Sequence, residues 1–355
     1  MKFFIIFISV LLNGVAVSRP DVKLIGELNQ TITLPSNKLA NSIPLNRDIS
    51  LLKLKFSDTA LETMSKRASF ILANDNKTES CDGPRSIQLG MNNIPVLDQG
   101  SHATCATFAN TAAIDAGLGQ GDYISQLCLL QLGLTLESEK LAWTPSGWSG
   151  TLGPIVLKTI DTFGVVSKQN QKIYGCGGLK EYPTDGTGPT SGISLADYHE
   201  NSDALRRIAG WSPILDIAEY TKVDKNITFQ DVRNALVSGD RVTIGVALVD
   251  FELGTVGAVG KYKNENDTWV LTHEMLVDLY KQTASLAGHE MIVTGYDDDA
   301  VAYEYGDEKI RHQGLFKLRN SWGDKLGDGG DFYMSYDYFK TQVIEAQRIK
   351  IRKNY

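Results

Sequence analysis

The chain has 355 residues but only four cysteines and ten prolines, and no block of lysine and arginine stands out. The cysteines, Cys81, Cys105, Cys128 and Cys176, are widely and irregularly spaced, with no Cys-x-x-Cys pair. That spacing excludes a disulfide-stapled miniprotein, and it offers neither a thioredoxin-type dithiol nor a zinc ribbon. Lys+Arg number 35 against 42 Asp+Glu, a net charge of −7, so the basic footprint of a nucleic-acid binder is missing. Beyond the first dozen residues no stretch approaches the ~18 apolar residues of a permanent membrane helix. Disorder is excluded by ordinary proportions, 42% hydrophobic and 22% charged residues, which suit one large domain or two small ones.

The first residues carry the compartment signal. Lys2 gives a positive start, Phe3 to Leu12 is almost wholly apolar, and Gly14, Ala16 and Ser18 suit a signal peptidase. Residues 1–18 are therefore expected to be a secretory signal peptide, leaving an exported protein with no integral membrane segment. The destination, whether extracellular, periplasmic or lysosome-like, stays open. Sequons at Asn29, Asn76, Asn226 and Asn266 do not decide the host.

Residues 19–85 read as a separate N-terminal segment, either a removable propeptide or an extra structural piece. It is polar, with strand-like runs at Thr31 to Leu34 and Ile49 to Phe56, the second half-exposed because lysines alternate with leucines. No long helical pattern is evident, and Asp75 to Arg85 reads as a linker. From Ile87 onward the spacing predicts helices at Cys105 to Leu118, Ser125 to Leu136 and Gly153 to Phe163. Strands are expected at Val242 to Val249, His289 to Tyr296 and Leu315 to Ser321. Helices first and strands second imply an α+β protein with one helical and one β-rich lobe.

A lone cysteine in an apolar helix is ordinarily a buried structural thiol. Cys105, however, starts a predicted helix, where the macrodipole favours a thiolate. Gln99-Gly100 lies just upstream, so the Gln99 amide and the Cys105 N–H can form an oxyanion hole. His289 opens one later strand and Asn320 ends another. A thiol, an imidazole and an amide to orient it are the parts of a Cys/His/Asn triad.

Three blocks carry a resemblance: Pro95 to Ala109, which includes Gln99-Gly100 and Cys105; Gly288-His289-Glu290-Met291-Ile292-Val293-Thr294-Gly295-Tyr296; and Arg319-Asn320-Ser321-Trp322-Gly323, followed by Gly327 and Gly330. In this order they resemble the papain-like cysteine peptidases, over about Ile87 to Tyr338. The resemblance implies a two-lobed fold, a helical lobe (about 86–205) and a β-barrel-like lobe (about 206–340) with the cleft between them, within a catalytic domain at 86–355. It implies Cys105 as nucleophile, His289 as general acid/base, Asn320 as orienting amide, Gln99 as oxyanion donor, and Trp322 as a shield over the His–Asn bond.

The chain departs from the family pattern in places. His102 stands where the family has a cysteine, and Gly147 to Thr151 lacks that cysteine's usual partner, so both halves of one bridge are absent together. Ala106 and Leu326 replace two tryptophans, and about fifteen extra residues, roughly Asp297 to Gln313, could form a hairpin. Glu290 replaces a small residue beside the pocket for the second substrate side chain, where it would favour a basic or polar group or else turn to solvent. Of the remaining cysteines, Cys128 sits in an apolar helical run and is expected as a buried thiol, while Cys81 and Cys176 both sit in Gly-rich polar surroundings and are expected to form a bridge. The His-Glu pairs at 273 and 289 are each followed, four residues after the histidine, by valine, which excludes a zincin. His102 and Cys105 alone do not make a metal site, and the Asp-rich loops lack EF-hand spacing.

The expectation is a secreted cysteine endopeptidase, monomeric, acting on peptides or proteins through a thioester without metal or organic cofactor. Residues 19–85 would be its propeptide. The alternatives are a non-catalytic peptide-binding homologue and an acyl transferase using the same triad.

Overall fold

The computed structural model of the chain describes residues 21–34, 45–73, 83–140, 146–189, 191–249, 267–282, 285–304 and 307–352. The expected signal peptide, Cys81 and most of the linker lie outside the described residues. The chain begins with β1 (Val22–Leu34), β2 (Leu45–Phe56), α1 (Asp58–Ala73) and β3 (Ser86–Gln88). A helical stretch follows: α2 (Cys105–Leu118), α3 (Gln126–Ser138), α4 (Gly153–Phe163), β4 (Val165–Val166), α5 (Lys168–Tyr174) and α6 (Leu195–Asn201). Then come β5 (Ser202–Asp203), β6 (Ala209–Leu215), α7 (Lys225–Val237), β7 (Arg241–Val249), β8 (Thr268–Trp269) and α8 (His273–Lys281). The last elements are β9 (Leu286–Glu304), β10 (Asp307–Arg319), β11 (Asp331–Ser335), α9 (Tyr336–Gln342) and β12 (Val343–Ile351).

Local chemistry sets these bounds. Ser125 accepts from the Cys128 N–H and so caps α3. A proline in the first turn opens α4. Gly119, left-handed at φ 68°, closes α2 by returning its N–H to the Asp115 carbonyl. All nine residues of β7 are buried, because it runs through the middle of the main sheet between β12 and β9. That sheet has the order β6-β12-β7-β9-β10-β11-β8, with β2 and β3 also paired to β9. The extra residues between the His and Asn blocks form the outer part of a β9–β10 hairpin, with Ala302 opposite His312.

Two apolar cores result. One joins α2 to α4 with Leu127, Leu130, Leu157 and Ile160 among its members. The other packs α7, α8 and α9 against the sheet. The fold is thus α+β, as expected, and β9 lies beside α2 between the two cores.

The N-terminal segment corrects two expectations. It contains a 16-residue helix, α1, although no helical pattern stood out. The residues α1 buries are Ala60, Met64, Ser65 and Ala68, mostly small, so the apolar stripe is faint in the sequence. Strand β2 is not half-exposed: Leu51, Leu52, Leu54 and Phe56 are all buried. It pairs with β1 along its length and with β9 through Leu52–Gly288, Lys53–Ala287 and Leu54–Leu286.

The disulfide is also corrected. Cys176 bonds Cys128, not Cys81, with the two Cα atoms 5.1 Å apart. Cys176 lies in a polar, glycine-rich stretch of sequence but is 1% exposed, because its turn folds under α3.

Candidate active site

The chain entering α2 positions Gln99. Gly100 adopts φ +60°, and a Cβ there would come within 2.3 Å of the Thr184 carbonyl oxygen, so only glycine fits the turn. The Gln99 N–H donates to the Ser321 carbonyl (2.8 Å), and Ser321 Oγ donates to Gln99 Oε1 (2.8 Å). The carbonyl end of the Gln99 amide is thereby held and its Nε2 end is aimed outward, where it donates to the carbonyls of His102 (2.7 Å) and Ser50 (3.4 Å). Ser321 thus holds Gln99 through both its backbone and its side chain, and its place one residue after Asn320 is the sequence signal for it.

Cys105 is the first residue of α2 and is the one free cysteine among the described residues. Thr104 occupies the N-cap position without a capping hydrogen bond, since its hydroxyl pairs with Tyr182 OH at 2.9 Å. Burial pushes the Cys105 thiol up to about 12, and the Glu290 backbone N–H aimed at the sulfur only partly offsets this. The low thiol pKa expected from the helix N-terminus is therefore overturned in this state. A helix terminus contributes about 0.3–1 kcal/mol, less than one pKa unit, and burial exceeds it.

His289 and Asn320 meet as expected, with His289 Nε2 and Asn320 Oδ1 2.8 Å apart. Asn320 Oδ1 also accepts from the Ser321 N–H (2.7 Å). An atom that accepts twice is the carbonyl end, so His289 Nε2 carries the hydrogen and Nδ1 is the bare base nitrogen. That Nδ1 is buried without a partner among the described residues. Trp322, fully buried, stacks on the imidazole with ring centroids 4.5 Å apart and planes at 21°. Trp269, for which the sequence carries no local signal, supports Trp322 edge-on at 6.3 Å. Burial lowers the His289 pKa to about 4. Thiol and imidazole are therefore both neutral here, and among the described residues no hydrogen bond joins them.

Where the sequence lacks both cysteines of the papain-type bridge, aromatic rings meet instead. His102 packs edge-on against Trp148, centroids 4.9 Å apart, and Trp148 stacks on Tyr182 at 5.5 Å. Tyr182 OH then donates to the Gln99 carbonyl (2.8 Å), which ties this cluster to the turn before Cys105.

Strand β2 packs against the turn before Cys105 and against the strand that carries His289. Arg47 pairs with Asp98 beside Gln99. Ser50 Oγ donates to the Ser101 carbonyl (2.9 Å). Leu52 fills the space beside Gly150, where a Cβ would meet Leu52 Cδ1 at 2.6 Å, and Leu54 packs against Gly288. These contacts fall on residues next in sequence to the site, and both Cys105 and His289 are buried.

Glu290 does not turn to solvent: it is 3% exposed and accepts from Asn110 Nδ2 at 2.6 Å. No helix among the described residues is long and apolar enough to cross a membrane.

Residues 255–355, which include His289 and Asn320 but not Cys105, match the Peptidase C1-like family. The chain is 41% identical over 63 residues to aminopeptidase G of Lactobacillus delbrueckii subsp. lactis, a stretch covering 18% of this chain and only 12% of that enzyme. Among solved structures, the cysteine protease and lectin-like domains of Cwp84, a surface-layer-associated protein of Clostridium difficile, superpose with a TM-score of 0.52 at 15% identity. That likeness covers 94% of this chain and 63% of the other. Xylellain, a cysteine protease from Xylella fastidiosa, gives 0.49 at 19% identity, over 76% of this chain and 87% of that one. The chain thus has the fold of the Cwp84 cysteine protease, and its residues 255–355 match the Peptidase C1-like family.

Proposed function

We propose that the chain is a secreted cysteine endopeptidase whose N-terminal segment closes its cleft until it is displaced. The observation that carries this reading is a set of four groups buried in the fold. These are Cys105 at the start of α2, His289 held by Asn320 under Trp322, the outward Gln99 amide, and a backbone carbonyl, Ser50, already lying against that amide.

With β2 gone, water reaches the site and the burial that keeps both groups neutral is relieved. The Cys105 proton then passes to His289 Nδ1. The sulfur attacks the scissile carbonyl, and Gln99 Nε2 with the Cys105 N–H stabilises the oxyanion. The amine leaves with the proton carried by His289. Water then splits the thioester, releasing the acid product and restoring the thiol. Asn320 fixes the ring through Nε2, leaving Nδ1 for both transfers. No metal or organic cofactor takes part. The Cys128–Cys176 bridge suits an oxidising compartment, in agreement with the leader-like residues 1–18.

An epoxysuccinyl thiol-protease probe tests this, applied to the full chain and to chain nicked within residues 74–82. Stoichiometric label at Cys105 after nicking, slow label before it and none in His289→Ala are expected. Equal labelling before and after nicking would remove the closing role of the N-terminal segment. Absence of label from both folded forms would favour a peptide-binding groove without catalysis.

A further inference from the structure

The reaction above needs two donors, Gln99 Nε2 and the Cys105 N–H, aimed at one oxygen. They stand at the two ends of a turn, and the bond that would close that turn from within is long. The His102 N–H lies 3.4 Å from the Gln99 carbonyl, beyond the usual span of about 2.7–3.2 Å. Tyr182 closes the turn instead. Its hydroxyl is 2.8 Å from the Gln99 carbonyl oxygen and 2.9 Å from Thr104 Oγ1. A carbonyl can only accept, so the single phenol proton goes to Gln99 and Thr104 must donate to Tyr182. One oxygen atom thus ties the residue that bears the amide to the residue just before Cys105. Burial holds this phenol well above its ordinary range, so the proton stays in place through the acidic and neutral range.

The ring is fixed as well as the hydroxyl. Tyr182 stacks on Trp148 with planes at 3° and meets Phe108 of α2 edge-on at 4.9 Å. The residues after it follow the turn. The Ser101 N–H donates to the Thr184 carbonyl (3.2 Å), and the Pro183 carbonyl accepts from the His102 ring. Burial lowers the His102 pKa, so at pH 7 its imidazole lies neutral against Trp148 and Tyr182. Before Tyr182, the chain is anchored by the Cys128–Cys176 bridge to α3 and by Gln171 of α5, whose Nε2 donates to the Lys180 carbonyl (2.9 Å). Residues 176–184 are therefore held to the helical core at one end and grip the turn at the other.

We propose that Tyr182 is a positioning residue for the oxyanion hole: its hydroxyl sets the separation of the Gln99 amide and the Cys105 N–H, so that both reach the oxygen of the tetrahedral intermediate. The proposal rests on the peptidase reading above and adds to it a residue outside the three sequence blocks. An oxyanion donor acts only within about 2.7–3.1 Å of the oxygen, and a misplacement of about 1 Å costs about a hundredfold in rate. Without the hydroxyl, the Gln99 carbonyl keeps only the long bond from His102, and the two donors lose their common aim. This role is separable from support of the fold, because only one of two reactions at Cys105 builds an oxyanion. Attack on a peptide carbonyl builds one. In alkylation by iodoacetamide the sulfur displaces iodide at a saturated carbon, and the thiolate beside His289 suffices.

The test compares the chain nicked within residues 74–82 with the same chain carrying Tyr182→Phe, which keeps the ring and its stack. On the best substrate of a quenched-peptide library, kcat is expected to fall roughly ten- to a hundredfold, with KM within about twofold. The rate of iodoacetamide alkylation at Cys105, located by peptide mapping, and its pH profile should stay within about twofold of the parent. An unchanged kcat would overturn the proposal. So would kcat and alkylation falling in step, since the hydroxyl would then only support the fold. Thr104→Val removes the other partner of the hydroxyl and covers the case in which Tyr182→Phe misfolds. The same split between cleavage and alkylation, with a loss in kcat of roughly threefold or more, supports the proposal, and a parent-like kcat overturns it. A parent that cleaves no peptide would overturn the peptidase reading, and the positioning role with it.

Discussion

His289 binds a proton less readily in the folded chain than in an unfolded one, because burial brings its pKa from 6.5 to about 4 despite the Asn320 hydrogen bond. As pH falls below about 6.5 the unfolded chain takes up this proton first, so the contribution of His289 to stability declines until about pH 4. Over that span the loss is up to about 3 kcal/mol. Glu345 and Asp115, each raised to about 7 by burial, act in the opposite sense: the folded chain holds their protons longer, so they lower stability as pH rises toward 7. Whole-chain stability mixes these slopes, whereas a difference between two chains isolates one. His289→Gln should gain up to about 3 kcal/mol relative to the parent between pH 7 and pH 4, read from urea unfolding at a series of pH values. A flat difference would mean that the imidazole is wetter than its 2% exposure implies.

Among the elements, α3 and the turn at Cys176 are tied across 48 residues of sequence. A loop of that length, closed in the unfolded chain, is worth about 4 kcal/mol by chain entropy, and typical measured values are about 2–4. Cys128→Ala with Cys176→Ala should lower stability by that amount, measured by thermal or denaturant unfolding, while Cys105 stays alkylatable once β2 is displaced. Peptide mapping without reduction should recover Cys128 linked to Cys176, and a peptide linking Cys81 to Cys176 would contradict the structure. The helices α2 and α4 and the central strands were legible from the sequence, because their apolar spacing and glycine stops act locally. The small buried face of α1 and the cover over β2, whose strand character at Ile49 to Phe56 was legible, were not. Their burial comes from partners more than 100 residues away, such as β9 and α8.

At the scale of the whole molecule, the N-terminal segment is held at two distant places. Its strand β2 lies against Gln99, Ser101 and Gly150. Its helix is clamped by Arg67, whose Nη2 donates to the carbonyls of Tyr220 (3.0 Å) and Val223 (2.9 Å) and whose guanidinium lies over the Tyr220 ring at 4.9 Å. Loss of a charge-assisted hydrogen bond costs about 1.5–3 kcal/mol, so Arg67→Ala should populate the open form roughly ten- to a hundredfold more. The readout is faster probe labelling of Cys105 in the full chain, although Arg67 does not touch the cleft. An unchanged rate would mean that β2 holds the cleft without help from α1.

The identities and order of Gln99, Cys105, His289 and Asn320 were written in the sequence, as were the helix that starts at Cys105 and the alternation of the strand that carries His289. Such features depend on neighbours within a few residues. Tertiary structure alone decided that Cys176 reaches Cys128, that Glu290 turns inward to meet Glu345 across Gly153, and that β2 lays its Ser50 carbonyl against Gln99. These outcomes are set by which surfaces the two cores bring together and seal from water, and that exclusion also keeps Cys105 and His289 neutral in the closed chain.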